Sequence, residues 1–216
     1  MKKGAIFDMD GLMFDTEAIW QKCWTEIADE RNTELDPQFR KDICGTSGAL
    51  MNSVIEKYYH VEDGAPIAAD CKSRVHASLK NFVPEKPGVH EILEYLHGAG
   101  VKIAVASSSP YEQIRSNLLM TNTEPYIDVM LSGTEIEHGK PAPDLFLKAA
   151  EKIGLPAEDC YVFEDAYNGV RAGHASGAFT IMIPDTQEPD DEMRKIADVI
   201  CVSLLEALDG IRNGRF

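Results

Sequence analysis

Three apolar residues in a row, Ala5-Ile6-Phe7, run directly into Asp8-Met9-Asp10-Gly11. An unbroken apolar run of this length suits a strand covered on both faces, and a glycine after the second aspartate lets the backbone turn sharply. The period then changes. Ile19, Trp20, Cys23, Trp24, Ile27 and Ala28 fall at helical spacing, with Thr16 placed to cap the helix. Helical patterns follow at about 37–43, around Leu50, Val54, Ile55 and Tyr58, and at about 64–82, and no strand pattern interrupts them.

From Pro87 helix and strand alternate. A helix carrying Val89, Ile92, Leu93 and Leu96 ends at Gly98, and strands are predicted at 101–106, 127–131, 160–163, 179–183 and 199–202. The segments between them, 112–119, 143–153, 168–175, 191–196 and 203–211, read as helices, with Ser109-Pro110 as cap and first residue of the first of these. Such alternation predicts an α/β fold with a doubly wound parallel sheet. Residues 1–15 and 84–216 would form that core domain, and 16–83 an inserted α-helical domain.

The totals narrow the function. Of 216 residues, 44% are hydrophobic and 26% charged, as in ordinary globular chains. A net charge of -15 argues against nucleic acid or an anionic membrane surface as partner, since both need basic patches. The five cysteines are an odd number without a C-x-x-C pair, the usage of a reducing compartment. With no apolar run long enough for a signal peptide or a bilayer span, a cytoplasmic protein is expected. Nothing in the pattern suggests an obligate interface, so a monomer is expected.

Polar groups suited to one reaction stand at four separate strand ends. Asp8 and Asp10 follow the first strand, and two acids two positions apart can lean over one crevice once the chain turns. Ser107 and Ser108 follow the second strand at a helix start, where a hydroxyl and free amides suit phosphate oxygens. Lys140 lies in Gly139-Lys140-Pro141-Ala142-Pro143-Asp144, where prolines stiffen the backbone around a point charge. Glu164 and Asp165 follow the strand ending at Phe163 and are hard oxygen ligands suited to Mg²⁺. Taken singly, each has a blander reading as turn, cap or solvated charge. Their order and shared position reverse the odds.

These motifs, Asp8-Met9-Asp10-Gly11, Ser107 after a strand, Lys140 in GKPAPD, and Glu164-Asp165 in FEDAYNG, resemble those of the haloacid dehalogenase superfamily of phosphotransferases. The likeness is to the branch with a helical cap after the first strand, which includes β-phosphoglucomutase. It implies Asp8 as nucleophile, Asp10 as general acid and base, and Ser107, Ser108, Lys140 and the Gly11 turn as phosphate holders. It also implies Mg²⁺ bound by Asp8, the Asp10 carbonyl and Asp165, with Glu164 in or beside the coordination shell. Thr16, Trp20 and Gly45 become candidate substrate contacts in the cap, with hinges near 14–16 and 82–84; helical spacing with Cys23 and Trp24 makes Trp20 equally a core residue.

Dehalogenases of the superfamily need no acid two residues after the nucleophile, so Asp10 implies a phosphate ester. The expected activity is Mg²⁺-dependent hydrolysis of a small phosphorylated metabolite, a sugar phosphate or nucleoside monophosphate, through an aspartyl phosphate. The alternative is a β-phosphoglucomutase-type mutase. The loop Cys44-Gly45-Thr46-Ser47-Gly48 lacks the basic residues a mutase carries there, and Trp20 stands where it has a histidine, which favours hydrolysis. Receiver domains share an aspartyl phosphate, a hydroxyl residue and a lysine, but they are shorter and lack the insertion.

Overall fold

Strand β1 (Gly4–Phe7) is buried at every residue, and the core is laid out on either side of it. The computed structural model describes all residues except Gly45 and Ser47. It divides into two units, Met1–Phe14 with Pro84–Phe216, and Asp15–Val83.

In the first unit β1 is joined by β2 (Lys102–Ser107), β3 (Val129–Ser132), β4 (Cys160–Glu164), β5 (Phe179–Met182) and β6 (Val199–Ile200). They form one sheet in the order β3-β2-β1-β4-β5-β6, and every pair is parallel. The chain builds outward from β1 through β2 and β3, then crosses back to start again at β4. That reversal leaves a crevice at the carboxyl ends of β1 and β4, where open α/β sheets take their ligands.

Alternation along the strands sends residues to two faces. Ile6 pairs with Ala104 and Val162, and all three pack with Leu145, Phe146 and Ala149 of the helix Asp144–Lys152. Phe7 pairs with Val105 and Phe163 on the other face, where the Phe7 and Phe163 rings stack at 4.4 Å. Both faces are covered, which is why the strands read as continuous apolar runs.

Among its described residues the regular elements of the second unit are all helices: α1 (Thr16–Glu30), α2 (Phe39–Ile43), α3 (Gly48–Tyr59) and α4 (Ala65–Leu79). Its core is aromatic. The Phe39 ring meets Trp24 edge-on at 6.0 Å and Tyr59 at 5.7 Å, and the Tyr59 hydroxyl donates to the Trp24 carbonyl at 2.7 Å. Arg74 of α4 ties back to Glu30 of α1 at 2.6 Å. Trp20 is half-buried and stacks on Trp24 at 5.9 Å, which supports its reading as a packing residue.

The remaining helices of the core unit are α5 (Val89–Gly98), α6 (Tyr111–Met120), α7 (Asp144–Lys152), α8 (Tyr167–Ser176), α9 (Met193–Ile196) and α10 (Leu204–Arg212). Three local expectations are corrected. Thr16 is the first helical residue and not the cap, because the break from helical geometry falls at Asp15, with ψ of 52°. Pro110, not Ser109, flanks α6, and no side chain caps that helix. Strand β4 runs one residue past Phe163, because Glu164 pairs with Met182 and its carbonyl accepts from Ile183 N–H at 2.7 Å.

All five cysteines are free thiols. Among the described residues, no helix is long and apolar enough to cross a membrane. Replacing Phe7, fully buried against Phe163, by alanine is expected to lower the unfolding free energy by about 3–5 kcal/mol. Leu147→Ala, at a residue 44% exposed on α7, should stay within about 0.5 kcal/mol of wild type in the same urea titration.

Candidate active site

The end of β1 carries the first acid. Asp8 continues the ladder by one bond, its N–H donating to the Phe163 carbonyl at 3.0 Å, and the chain then turns at Gly11 with φ of +90°. Gly11 is needed there twice over: a side chain disfavours that φ, and a Cβ would overlap the Asp165 carboxylate. The turn thus packs β1's loop directly against the acid at the end of β4.

Asp10 is held from the β2 side. The Ser107 and Ser109 hydroxyls both donate to its Oδ2, at 3.0 and 2.8 Å, and Ser109 N–H donates to Ser107 Oγ at 3.0 Å. Ser109 was expected only as a cap. With Pro110 unable to donate and α6 starting later, its side chain turns back to the acid instead. Ser108 lies exposed at the same strand end.

Lys140 sits between two carboxylates. Its Nζ lies 2.5 Å from Asp8 Oδ1 and 2.6 Å from Glu164 Oε1, with side-chain exposures of only 8%, 9% and 1% for Lys140, Asp8 and Glu164. The ammonium also lies over the Phe146 ring at 4.9 Å. The Lys140–Pro141 peptide is cis. The other Glu164 oxygen accepts from the Asp165 and Ala166 N–H groups, at 2.8 and 2.9 Å, just ahead of α8. Gly169, in the first turn of α8, leaves the space that this carboxylate fills.

Asp8, Glu164 and Asp165 are all buried, so three carboxylates face one ammonium. Burial pushes the Asp165 carboxyl well above its ordinary range, and the charges of Glu164 and Asp8 add to that. Burial also raises Asp8, against the opposing pull of Lys140. Burial works against the charge on Lys140 as well, but Asp8 and Glu164 outweigh it and the lysine stays protonated. The cluster is therefore short of positive charge.

Among the described residues, no group of three or more His, Cys, Asp or Glu side chains is arranged as a complete metal cage. The expected donors are the Asp8 and Asp165 carboxylates and the Asp10 carbonyl, with Glu164 in or beside the shell, where its two oxygens already accept from Lys140 and from two backbone N–H groups. Hard oxygens with an excess of negative charge fit Mg²⁺, which keeps several waters and needs few protein ligands.

Asp8, Asp10, Gly11, Ser107, Lys140, Glu164 and Asp165 thus come together in the core unit. Thr16 and Trp20 belong to the helical unit, and Gly45 lies outside the described residues. Sequence reasoning missed Ser109 and Phe146. The serine run after β2 was the available signal for the first; nothing local marked the second.

Polar groups from four loops thus meet where the parallel sheet reverses beside β1. The family model described as haloacid dehalogenase-like hydrolase matches residues 5–183, and the chain belongs to that family. It is 29% identical over 179 residues to a phosphorylated carbohydrates phosphatase of Thermotoga maritima, covering 81% of this chain and 82% of the relative. A fructose-1-phosphate phosphatase of Escherichia coli is 30% identical over 175 residues, covering 81% and 92%. In fold it is similar to a β-phosphoglucomutase of Clostridium difficile, with a TM-score of 0.79 at 20% identity, covering 100% and 99% of the two chains.

A methyl group at position 169 would collide with the Glu164 carboxylate. Gly169→Ala is expected to destabilise the chain by about 1–3 kcal/mol in chemical denaturation, while Gly98→Ala, where a Cβ meets open space, should not.

Proposed function

We propose that this protein is a Mg²⁺-dependent phosphatase that hydrolyses a small phosphorylated metabolite, foremost a sugar phosphate, through an aspartyl phosphate on Asp8. The observation that carries the reading is Lys140, buried and shared between Asp8 and Glu164 at the end of β1. A lysine so placed can screen a carboxylate from the phosphate anion it attacks. The names borne by the two relatives support the sugar-phosphate class.

Held by the Asp8 and Asp165 carboxylates and the Asp10 carbonyl, Mg²⁺ would supply Lewis-acid charge that offsets the repulsion between the phosphate and the attacking carboxylate. Asp8 attacks phosphorus, an Asp8 O–P bond forms, and the ester P–O bond breaks. Asp10 gives its proton to the leaving alkoxide. It then takes a proton from water as that water attacks phosphorus and frees Asp8, with inorganic phosphate as product. The two serine hydroxyls on Asp10 Oδ2 fix the orientation of that carboxylate. Ser108, Lys140 and the Gly11 turn hold the phosphate oxygens, and Ser107 joins them when its hydroxyl turns from Asp10 to the phosphate.

A panel of hexose, hexitol and nucleoside phosphates is expected to release phosphate with Mg²⁺ and not with chelator. Asp8→Asn should reduce kcat on the order of 10⁴-fold or more. Lys140→Ala is expected to lose about 10²–10³-fold. Interconversion of hexose 1- and 6-phosphates without net phosphate release would replace hydrolysis by the mutase reading.

Asp10→Asn should retain phosphorylation only from esters with good leaving groups, because no proton is then available for an alkoxide. Equal losses on p-nitrophenyl phosphate and on a sugar phosphate would remove Asp10 from the acid role.

A further inference from the structure

Strand β5 runs beside β4, and after its end the Ile183 N–H still donates to the Glu164 carbonyl at 2.7 Å. Two residues on stands Asp185, so its position follows from the strand that carries Glu164 and leads into Asp165. Lys86 Nζ lies 2.7 Å from Asp185 Oδ1, with side chains 23% and 15% exposed. Lys86 is itself tied to the loop that follows Asp10, through its N–H to the Met13 carbonyl at 2.8 Å. The pair is thus fixed to both segments that deliver the acids.

Only half of the Asp185 carboxylate is used. Among the described residues, its Oδ2 is a buried side-chain oxygen with no hydrogen-bond partner. Leaving such an acceptor unsatisfied costs about 1–3 kcal/mol, more when it is charged. A plain structural salt bridge would gain nothing from leaving that oxygen bare.

We infer that Asp185 is a positioning residue for the divalent cation, accepting on Oδ2 from the cation's hydration shell while Lys86 holds Oδ1. The inference rests on the Mg²⁺ reading above. Mg²⁺ gives up its waters reluctantly, and groups that hold the outer partners of a metal site typically govern affinity by 10- to 100-fold. Asp185 would also add negative charge to a site that must attract a cation, and Lys86 keeps its carboxylate from turning away.

The test is calorimetric titration of the full chain with MgCl₂ alone, without substrate, beside thermal denaturation of the metal-free proteins. Asp185→Asn keeps the shape and an acceptor for Lys86, and it is expected to weaken Mg²⁺ binding about 10- to 100-fold. Its metal-free Tm should equal or exceed that of wild type, since a buried charge has been removed. Asp191→Asn, the same charge change at an exposed residue, should bind as wild type does. Wild-type affinity in Asp185→Asn overturns the inference, as does a fall in its metal-free Tm with affinity unchanged. Asp185→Ser serves as a second variant, and failure of both to fold assigns Asp185 a purely structural role, against the inference. Should wild type itself bind no Mg²⁺, the reading of the site fails along with it. Loss of binding in Asp165→Asn but not in Asp185→Asn would sink the inference alone.

Discussion

One ammonium group shared by two buried carboxylates, with a third acid close by, sets the terms for the rest of the core unit. A buried charge without compensation is costly, and the fold deals with this one by fixing every participant. Phe146 supports Lys140 from below, backbone amides at the start of α8 take the other Glu164 oxygen, and Gly11 and Gly169 leave room for two carboxylates. The arrangement remains short of positive charge.

The sheet order explains why these groups can meet. Asp8, Ser107 and Asp165 are far apart in sequence but adjoin in space, because β1 lies between β2 and β4 with all strands running the same way. Each strand then delivers its last residues to the same edge. The neutral Phe7–Phe163 stack just beneath is the apolar floor that keeps this edge rigid. Just above it, Lys140 is held between Asp8 and Glu164.

The helical unit follows a different logic. Its core is a set of edge-on aromatic rings around Phe39, closed by the Tyr59 hydroxyl on the Trp24 carbonyl. Four short helices can be stabilised this way without a sheet, so the segment can be inserted after β1 while the core strands keep their register.

How much was legible depended on range. Element types and their order could be read from the chain because periodicity is local: the apolar run before Asp8 and the helical spacing of Trp24 and Ile27 act within a few residues. The acids, Ser107 and Lys140 were marked by residue type and by position at strand ends. Where a side chain turns after its strand ends is not a local property. Ser109 could cap or reach across to Asp10, and only the position of β1 beside β2 decided it. The same holds for Lys86 on Asp185, a contact between residues far apart in the sequence. By itself the sequence determined which elements form and which residues are candidates for the chemistry. The tertiary structure alone decided which partner each buried polar atom found, because that depends on packing between segments distant along the chain.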